Sequence, residues 1–288
     1  CGATINEINC VRKHLSAVKG GRLAAALAPA TVLTLVLSDV VGDDLDAIAS
    51  GPTVPDPTTF SDALSIIERY GVTGQIPPAA LAYLQRGASG KPGAPAETPK
   101  PGEAMFDRCR TVLIGTNRLA VLSAAAEARR LGYNTIALSS RITGEAKEIA
   151  LVYLGLGKDI ASVSMPLAIP ACIVAGGETT VTLGGTGKGG RNQEMALAFG
   201  AALARNPKDG ERLVFLSGGT DGNDGPTDAA GAIIDLPTAL AGISGGYDPD
   251  DYLARNDSWN WFSRTGGLLI TGPTNTNVCD IQVLLVAP

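Results

Sequence analysis

Histidine is almost missing from this sequence: His14 is the only one in 288 residues. That excludes a site built on two histidine ligands and argues against a histidine-based catalytic triad. Disulfide and zinc patterns are also missing. The five cysteines (Cys1, Cys10, Cys109, Cys172 and Cys279) are scattered, odd in number and never spaced C-x2-C. They indicate a reducing, cytoplasmic compartment and not a disulfide scaffold. Positive charge is scarce, with 23 Lys and Arg against 28 Asp and Glu and a net charge of −5. Nothing global would hold nucleic acid or an anionic membrane. Long apolar runs are absent too. The longest, Leu23 to Leu37, has 15 residues and is broken by Pro29, too short to span a bilayer. No basic-then-apolar leader opens the chain, which starts CGATINEINCVRKH. Cys1 is not an initiator methionine, so the chain reads as processed, truncated or partial.

Glycine is what the chain has in excess: 36 of 288 residues, against a usual share of roughly 7%. There is no G-X-Y period, and 45% of residues are apolar. Such a chain buries a core, so the glycines belong in turns and at close backbone approaches. The length suits two domains or one large one.

Along the chain, Asn9 is expected to cap a short helix through VRKHLSAVKG, stopping at Gly20-Gly21. Arg22 to Ala28 makes a second helical piece. Thr31 to Leu37 (TVLTLVL) reads as a buried parallel strand. Thr59 or Ser61 caps a helix that runs through Tyr70. Residues 86–104 are rich in Pro, Gly and Ala without periodicity, the pattern of a domain linker or a mobile surface loop. A βαβ rhythm follows: a strand at 111–114, a helix at 118–131, a strand at 134–138 and a helix starting near Gly144. Ala171 to Ala175 and Thr179 to Leu183 are strand-like. A glycine-rich loop, Gly184 to Gly190, leads into a helix from Asn192 to Arg205, on which Met195, Phe199, Ala202 and Leu203 share a face. Further strands are expected at 213–216, 268–270 and 281–286. Two α/β domains result.

Ligands in α/β sheets gather at the carboxyl ends of strands. Four loops stand there. GGTGKGGRNQE (184–194) offers backbone N–H groups and a helix start to an anion, with Lys188 and Arg191 as charged donors. It is no Walker A loop, and a plain glycine-rich hairpin with a helix cap is the alternative. GGTDGNDGPTDAAG (218–231) carries Asp221, Asp224 and Asp228, which suit Mg²⁺ or a hydroxyl-bearing substrate. An Asx-turn-rich surface loop is the alternative. SDVVGDD places Asp39 directly after an apolar strand, while Asp43 and Asp44 could simply cap the next helix. TGPTNTN (271–277) offers hydroxyls and amides, or a turn. Lys13, Lys19 and Arg22 could form a basic face or a solvated helix surface. Anion-friendly loops, Mg-capable carboxylates and no histidine chemistry fit phosphoryl transfer, which needs positioning and charge neutralisation.

These blocks resemble the type 2 glycerate kinase family, also known by an older hydroxypyruvate reductase label, with its C-terminal MOFRL domain. The matching stretches are GATINEINCVRKHLSAVKGGRLA (2–24), LSDVVGDDLDAIASGPTVPDPTTF (37–60), GGETTVTLGGTGKGGRNQEMALA (176–198), GGTDGNDGPTDAAGA (218–232), NDS (256–258) and TGPTNTNVCDI (271–281). They recur in order over nearly the whole chain. The resemblance implies ATP-dependent phosphorylation of D-glycerate to 2-phosphoglycerate with a divalent metal. It implies an α/β fold: a Rossmann-like three-layer domain plus a smaller α/β MOFRL domain. On this reading residues 1–100 are the later part of the first domain, its front portion missing. Residues 105–288 hold the C-terminal region, with MOFRL at about 170–288. A SGGxSAL-like phosphate loop and an upstream lysine are then absent, and Asn275 stands where glycine is commoner.

Carried over by motif, Arg191 matches an arginine regarded as catalytic, with Lys19 and Asp39 beside it. Lys13, Arg22, Gly187, Lys188, Gly189, Gly190 and Asn277 are the ATP-binding candidates. Asp39, Asp221 and Asp224 are the Mg²⁺ candidates. The implied partners are D-glycerate and nucleotide, with no nucleic acid or membrane; a homodimer stays open. The alternatives are an NAD(P)H-dependent hydroxypyruvate reductase, although no GxGxxG follows a predicted strand, and an inactive phosphometabolite-binding module.

Overall fold

The computed structural model describes all 288 residues. Two compact units emerge: Cys1–Val36 with Asp43–Ile114, and Leu37–Gly42 with Gly115–Pro288. The division is not one cut near residue 100. The short segment bearing Asp39 joins the second unit, where the Ser38 N–H donates to the Gly115 carbonyl at 2.9 Å.

The first unit contains α1 (Ile5–Leu15), α2 (Arg22–Leu27), β1 (Val32–Leu37), α3 (Phe60–Arg69), α4 (Pro78–Ala88) and β2 (Cys109–Gly115). Helix α1 starts from Thr4 and not from Asn9. Thr4 and Glu7 form a reciprocal capping box that satisfies the first free N–H groups. Thr59 caps α3 in the same way through Asp62. Phe60, Ala63, Ile67, Leu84 and Cys10 form the core where α1, α3 and α4 meet. Strands β1 and β2 make a separate two-stranded sheet. The expected buried parallel strand is instead alternating, with Leu33, Leu35 and Leu37 exposed. The stretch 86–104 is neither a linker between the units nor unattached. It lies within the first unit, where Glu97 accepts from the Phe60 N–H at 2.8 Å and the Pro99 carbonyl accepts from the Asp56 N–H at 2.9 Å.

The second unit runs α5 (Asn117–Arg130), β3 (Asn134–Ile142), α6 (Ala146–Val163), β4 (Ala171–Gly177), α7 (Arg191–Arg205), β5 (Leu213–Gly219), β6 (Gly231–Asp235), α8 (Leu236–Ser244), α9 (Pro249–Ala254), α10 (Ser258–Thr265), β7 (Leu268–Leu269) and β8 (Asp280–Val286). Its six strands pair in the order β3-β4-β8-β5-β6-β7. Only β3 and β4 are parallel; the other four pairings are antiparallel. Alternation along β4 explains the layering. Cys172 and Val174 pack toward α5, while Ala171, Ile173 and Ala175 pack toward the α6 and α7 side. The three-layer arrangement expected of the N-terminal residues is thus found in this unit, around a mixed sheet. Thr179 to Leu183, expected as a strand, is a loop touching the sheet through one bridge, Glu145 to Thr180. Helix α7 is buried on all sides and not on one face, because α6, α8, α9 and the sheet surround it. Helices α8 to α10 lie in the stretch between the expected strands at 213–216 and 268–270. No helix is long and apolar enough to cross a membrane.

Candidate active site

The decisive local geometry lies at the start of α7. Arg191 points its guanidinium at Asp280, the first residue of β8. Its Nε donates to Oδ2 at 2.6 Å and its Nη2 to Oδ1 at 3.0 Å. Its Nη1 stands 3.1 Å from Glu178 Oε1, just beyond β4. Burial works against the guanidinium charge, but the hydrogen bonds and charge of Asp280 outweigh it and raise the Arg191 pKa. Glu178 is pushed up from its ordinary value. Burial leads, the Asp280 and Asp39 charges add to it, and Arg191 opposes it.

Strand register carries this pair toward the loops. Gly219 is the register partner of Asp280. A Cβ at Gly219 would stand 3.0 Å from Asp221 Oδ1 and 3.6 Å from Asp280 Oδ1. The two carboxylates therefore flank this glycine. Asp39, Asp221, Asn275, Thr276 and Asn277 line one cavity of about 400 Å³, with Leu37 and Pro273. Its walls are laced together. Thr274 donates its N–H to the Asp221 carbonyl at 3.1 Å, and the Val278 N–H donates to Thr220 Oγ1 at 2.8 Å. Asn275 adopts φ 59°. Glycine and asparagine are the residues that enter this left-handed region most readily, so asparagine is a fitting occupant there.

The glycine-rich loop departs from expectation. Four of its amides are already paired within the protein. The N–H groups of Gly184 and Gly185 both donate to Asn256 Oδ1, at 2.8 and 2.9 Å. The Gly187 N–H donates to the Arg255 carbonyl and the Lys188 N–H to Asp257 Oδ1, both at 2.9 Å. The Lys188 ammonium sits 3.7 Å over the Trp259 ring. A Cβ at Gly185 would meet the Arg255 carbonyl at 2.3 Å, so chain-on-chain contact requires glycine there. Gly187 packs against Asp257, Gly189 against Ser258 and Gly190 against Asp224. The NDS block at 256–258 thus holds this loop in place, a role its spacing did not reveal.

Asp224 is also corrected. It is nearly fully buried and receives the N–H groups of Asn192 at 3.1 Å and Gln193 at 2.9 Å, with both of their side-chain amides. It caps α7 from outside the helix and lines no cavity with Asp39 and Asp221. Burial lifts its pKa to about 6, despite these donors. No three His, Cys, Asp or Glu side chains gather as a metal-holding group.

In the first unit, Lys13 is buried. Its ammonium pairs with Asp56 at 3.3 Å and Asp46 at 3.2 Å, so its charge is spent inside and unavailable to ATP. Arg12 on the same helix is exposed, so no single basic face forms. Lys19 donates to the Ala49 carbonyl and Arg22 Nη2 to the Ala96 carbonyl, both at 2.9 Å. His14 is fully buried, with Nδ1 2.8 Å from the Cys10 carbonyl and its ring edge against Phe60. The residues that sequence reasoning missed are Asp280 and Glu178. Asp280 shows in the sequence only as the acid after TGPTNTNVC.

Comparison with known proteins shows the family. A glycerate kinase from Macaca fascicularis is 39% identical over 326 residues, spanning all of this chain and 80% of its own length. The chain belongs to the glycerate kinase family. Within the family, the D-glycerate 2-kinase of Thermotoga maritima is 44% identical over 285 residues, 99% of this chain and 64% of that protein. The crystal structure of the glycerate kinase from Thermotoga maritima superposes with a TM-score of 0.87 at 42% identity, covering 99% of this chain and 64% of that one. Another relative, from Agrobacterium vitis, bears a provisional hydroxypyruvate reductase name. The matching family descriptions are a domain of unknown function, DUF4147, over residues 1–85, and the MOFRL family over 171–280. The chain spans a little under two thirds of the first relatives' length, 62% and 64%.

Proposed function

We propose that this protein transfers the terminal phosphoryl group of ATP to the 2-hydroxyl of D-glycerate, giving 2-phosphoglycerate, and works in the cytoplasm. The observation that carries this reading is the Arg191–Asp280 fork, set at the end of the central strand β8 beside a cavity lined with carboxylates. The names borne by the relatives point the same way.

Arg191 supplies a fixed positive charge for an oxyanion. Such a donor helps most when it is already oriented before charge develops. Asp280 provides that orientation. Phosphoryl transfer asks little covalent chemistry of a protein, so positioning of this kind is the main requirement.

Mg²⁺ is implied by the reading, and the residues fit it. Asp39 and Asp221 line the same cavity with the amide and hydroxyl groups of Asn275, Thr276 and Asn277. Hard oxygen donors and only one or two carboxylates suit a cation that keeps several waters and shares phosphate oxygens. When bound there, Mg²⁺ would supply charge neutralisation for the nucleotide phosphates. Asp39 and Asp221 would hold it, and Asn277 would contact the nucleotide. Lys19 and Arg22 belong to the first unit, where each donates to a backbone carbonyl.

The test is ADP release with D-glycerate and ATP, with the product identified by phosphorus NMR. Absence of ADP release, with NADH or NADPH consumed on hydroxypyruvate, would establish the reductase instead. Binding of nucleotide or glycerate without any turnover would identify a binding module.

A further inference from the structure

Arg191 is held by two carboxylates of very different character. Asp280 is buried, its side chain 1% exposed, and accepts two hydrogen bonds from Arg191. Glu178 is 43% exposed and makes a single ion-pair contact of 3.1 Å to Nη1. Removing a buried partner leaves an uncompensated charge and is expensive. Releasing a half-exposed one costs little. The two contacts therefore differ in permanence.

The guanidinium has five donor hydrogens. Asp280 takes two, on Nε and Nη2, and the Glu178 carboxylate stands against Nη1 as an ion pair. A clamp across the outer end of the fork needs both Nη1 and Nη2. Charge points the same way. One Arg between two carboxylates leaves a local net charge of −1, and Asp39 is near enough to disfavour the ionised form of Glu178 further. An arriving anion meets this negative cluster until one carboxylate leaves.

We propose that Glu178 is a resident competitor: its carboxylate pairs with Nη1 of Arg191 in the free protein and gives up that place to the substrate's anionic group. This rests on the kinase reading for the identity of the anion, but not for the exchange itself. Glu178 acts through Arg191 and is a positioning residue. Its displacement makes productive binding depend on an anion able to outcompete a carboxylate.

The experiment is calorimetric titration of the 288-residue chain with sulfate and, separately, with D-glycerate at fixed pH and ionic strength. Wild type, E178Q, E178D and the double variant E178Q/R191M are compared, each first checked for a native thermal transition. The expected result is that E178Q binds both anions about two- to fivefold more tightly, as removal of an exposed competing pair implies. E178D keeps the charge and behaves like wild type, and E178Q/R191M loses the gain. Unchanged or weaker binding in E178Q overturns the proposal. So does tighter binding that survives the R191M change, or no binding in any variant. If E178Q fails to fold, wild-type-like sulfate binding in the uncharged E178A overturns it equally. The kinase reading is judged apart, since tighter sulfate binding without ADP release leaves the exchange intact and rejects the reaction.

Discussion

Arg191 and Asp280 meet through two hydrogen bonds although 89 positions separate them. One opens a helix and the other opens a strand. Their pairing couples the buried helix α7 to the central strand β8, so the site's main cation is set by the core of the second unit. That arrangement makes Arg191 a rigid donor and predicts that shape matters there as much as charge.

Arg191→Lys keeps the charge and loses the planar fork. A lysine cannot satisfy both Asp280 oxygens and still present two outer donors. Turnover in the ADP assay should fall by about 100-fold or more, the scale of one lost oxyanion donor. Turnover close to wild type would remove Arg191 from the proposed role.

Asp280→Asn preserves volume and removes the buried negative charge. Arg191 then keeps only Glu178, and an amide hydrogen faces the guanidinium. Stability should drop by about 3 kcal/mol in urea unfolding, the low end of the scale for breaking a buried pair because Arg191 is partly exposed. Turnover should fall with it. A stable variant with full activity would show that the fork is oriented by something else.

Asp224 sets a pH dependence. Its carboxyl titrates at about 6 in the folded chain, against 3.8 unpaired, because burial disfavours the charge. Below the unfolded value both states are protonated and the penalty is absent. As pH rises from about 4 to 6 the unfolded chain loses the proton first, so stability falls. It levels off above the folded value, at a cost on the order of 3 kcal/mol. The stability of wild type relative to Asp224→Asn should therefore decline across this window and be flat above pH 7. A difference that does not vary with pH would contradict the shift.

Asn256 is the staple of the glycine-rich loop. Its Oδ1 serves two amides and its Nδ2 donates to buried Glu194 at 3.0 Å. Asn256→Ala should cost about 2 kcal/mol and speed hydrogen exchange at Gly184 and Gly185. The residue also adopts φ 55°, so Asn256→Gly serves as control. It relieves the backbone but should restore neither protected amide.

Asp39→Asn and Asp221→Asn should each raise the Mg²⁺ concentration needed for half-maximal ADP release, by about tenfold, while Asp224→Asn leaves it unchanged once folded. The scale is that of losing one charged ligand or its support. Titration of activity against Mg²⁺ measures it directly. Equal shifts for all three would reinstate Asp224 as a ligand.

Local pattern was read well where it repeats along the chain. The capping threonine of α3, helix α5, strand β4 and the glycine-to-helix passage into α7 follow from periodicity and turn residues, which act within a few positions. Asn9 failed as a cap because the Thr4–Glu7 box wins three residues earlier. Thr179 to Leu183 failed as a strand because no neighbour completes its ladder. Asp39, Asp221 and Asn277 were legible as candidates, since they sit in loops after strands, and Arg191 because it opens the helix that follows the glycine-rich loop. Lys13, Lys188 and Asp224 were legible only as charged residues. Whether a charge faces a ligand or an internal partner depends on residues far away in sequence.

The sequence by itself determined the class of chain: an α/β protein without histidine or disulfide chemistry, whose ordered motifs mark the glycerate kinase family. Only tertiary structure decided what the abundant glycines and acids do. Strand register placed Asp280 against Arg191, and loop packing consumed the amides of Gly184, Gly185, Gly187 and Lys188. The physical reason is that composition and periodicity constrain neighbours along the chain, while hydrogen-bond partners and burial are set by contacts across it.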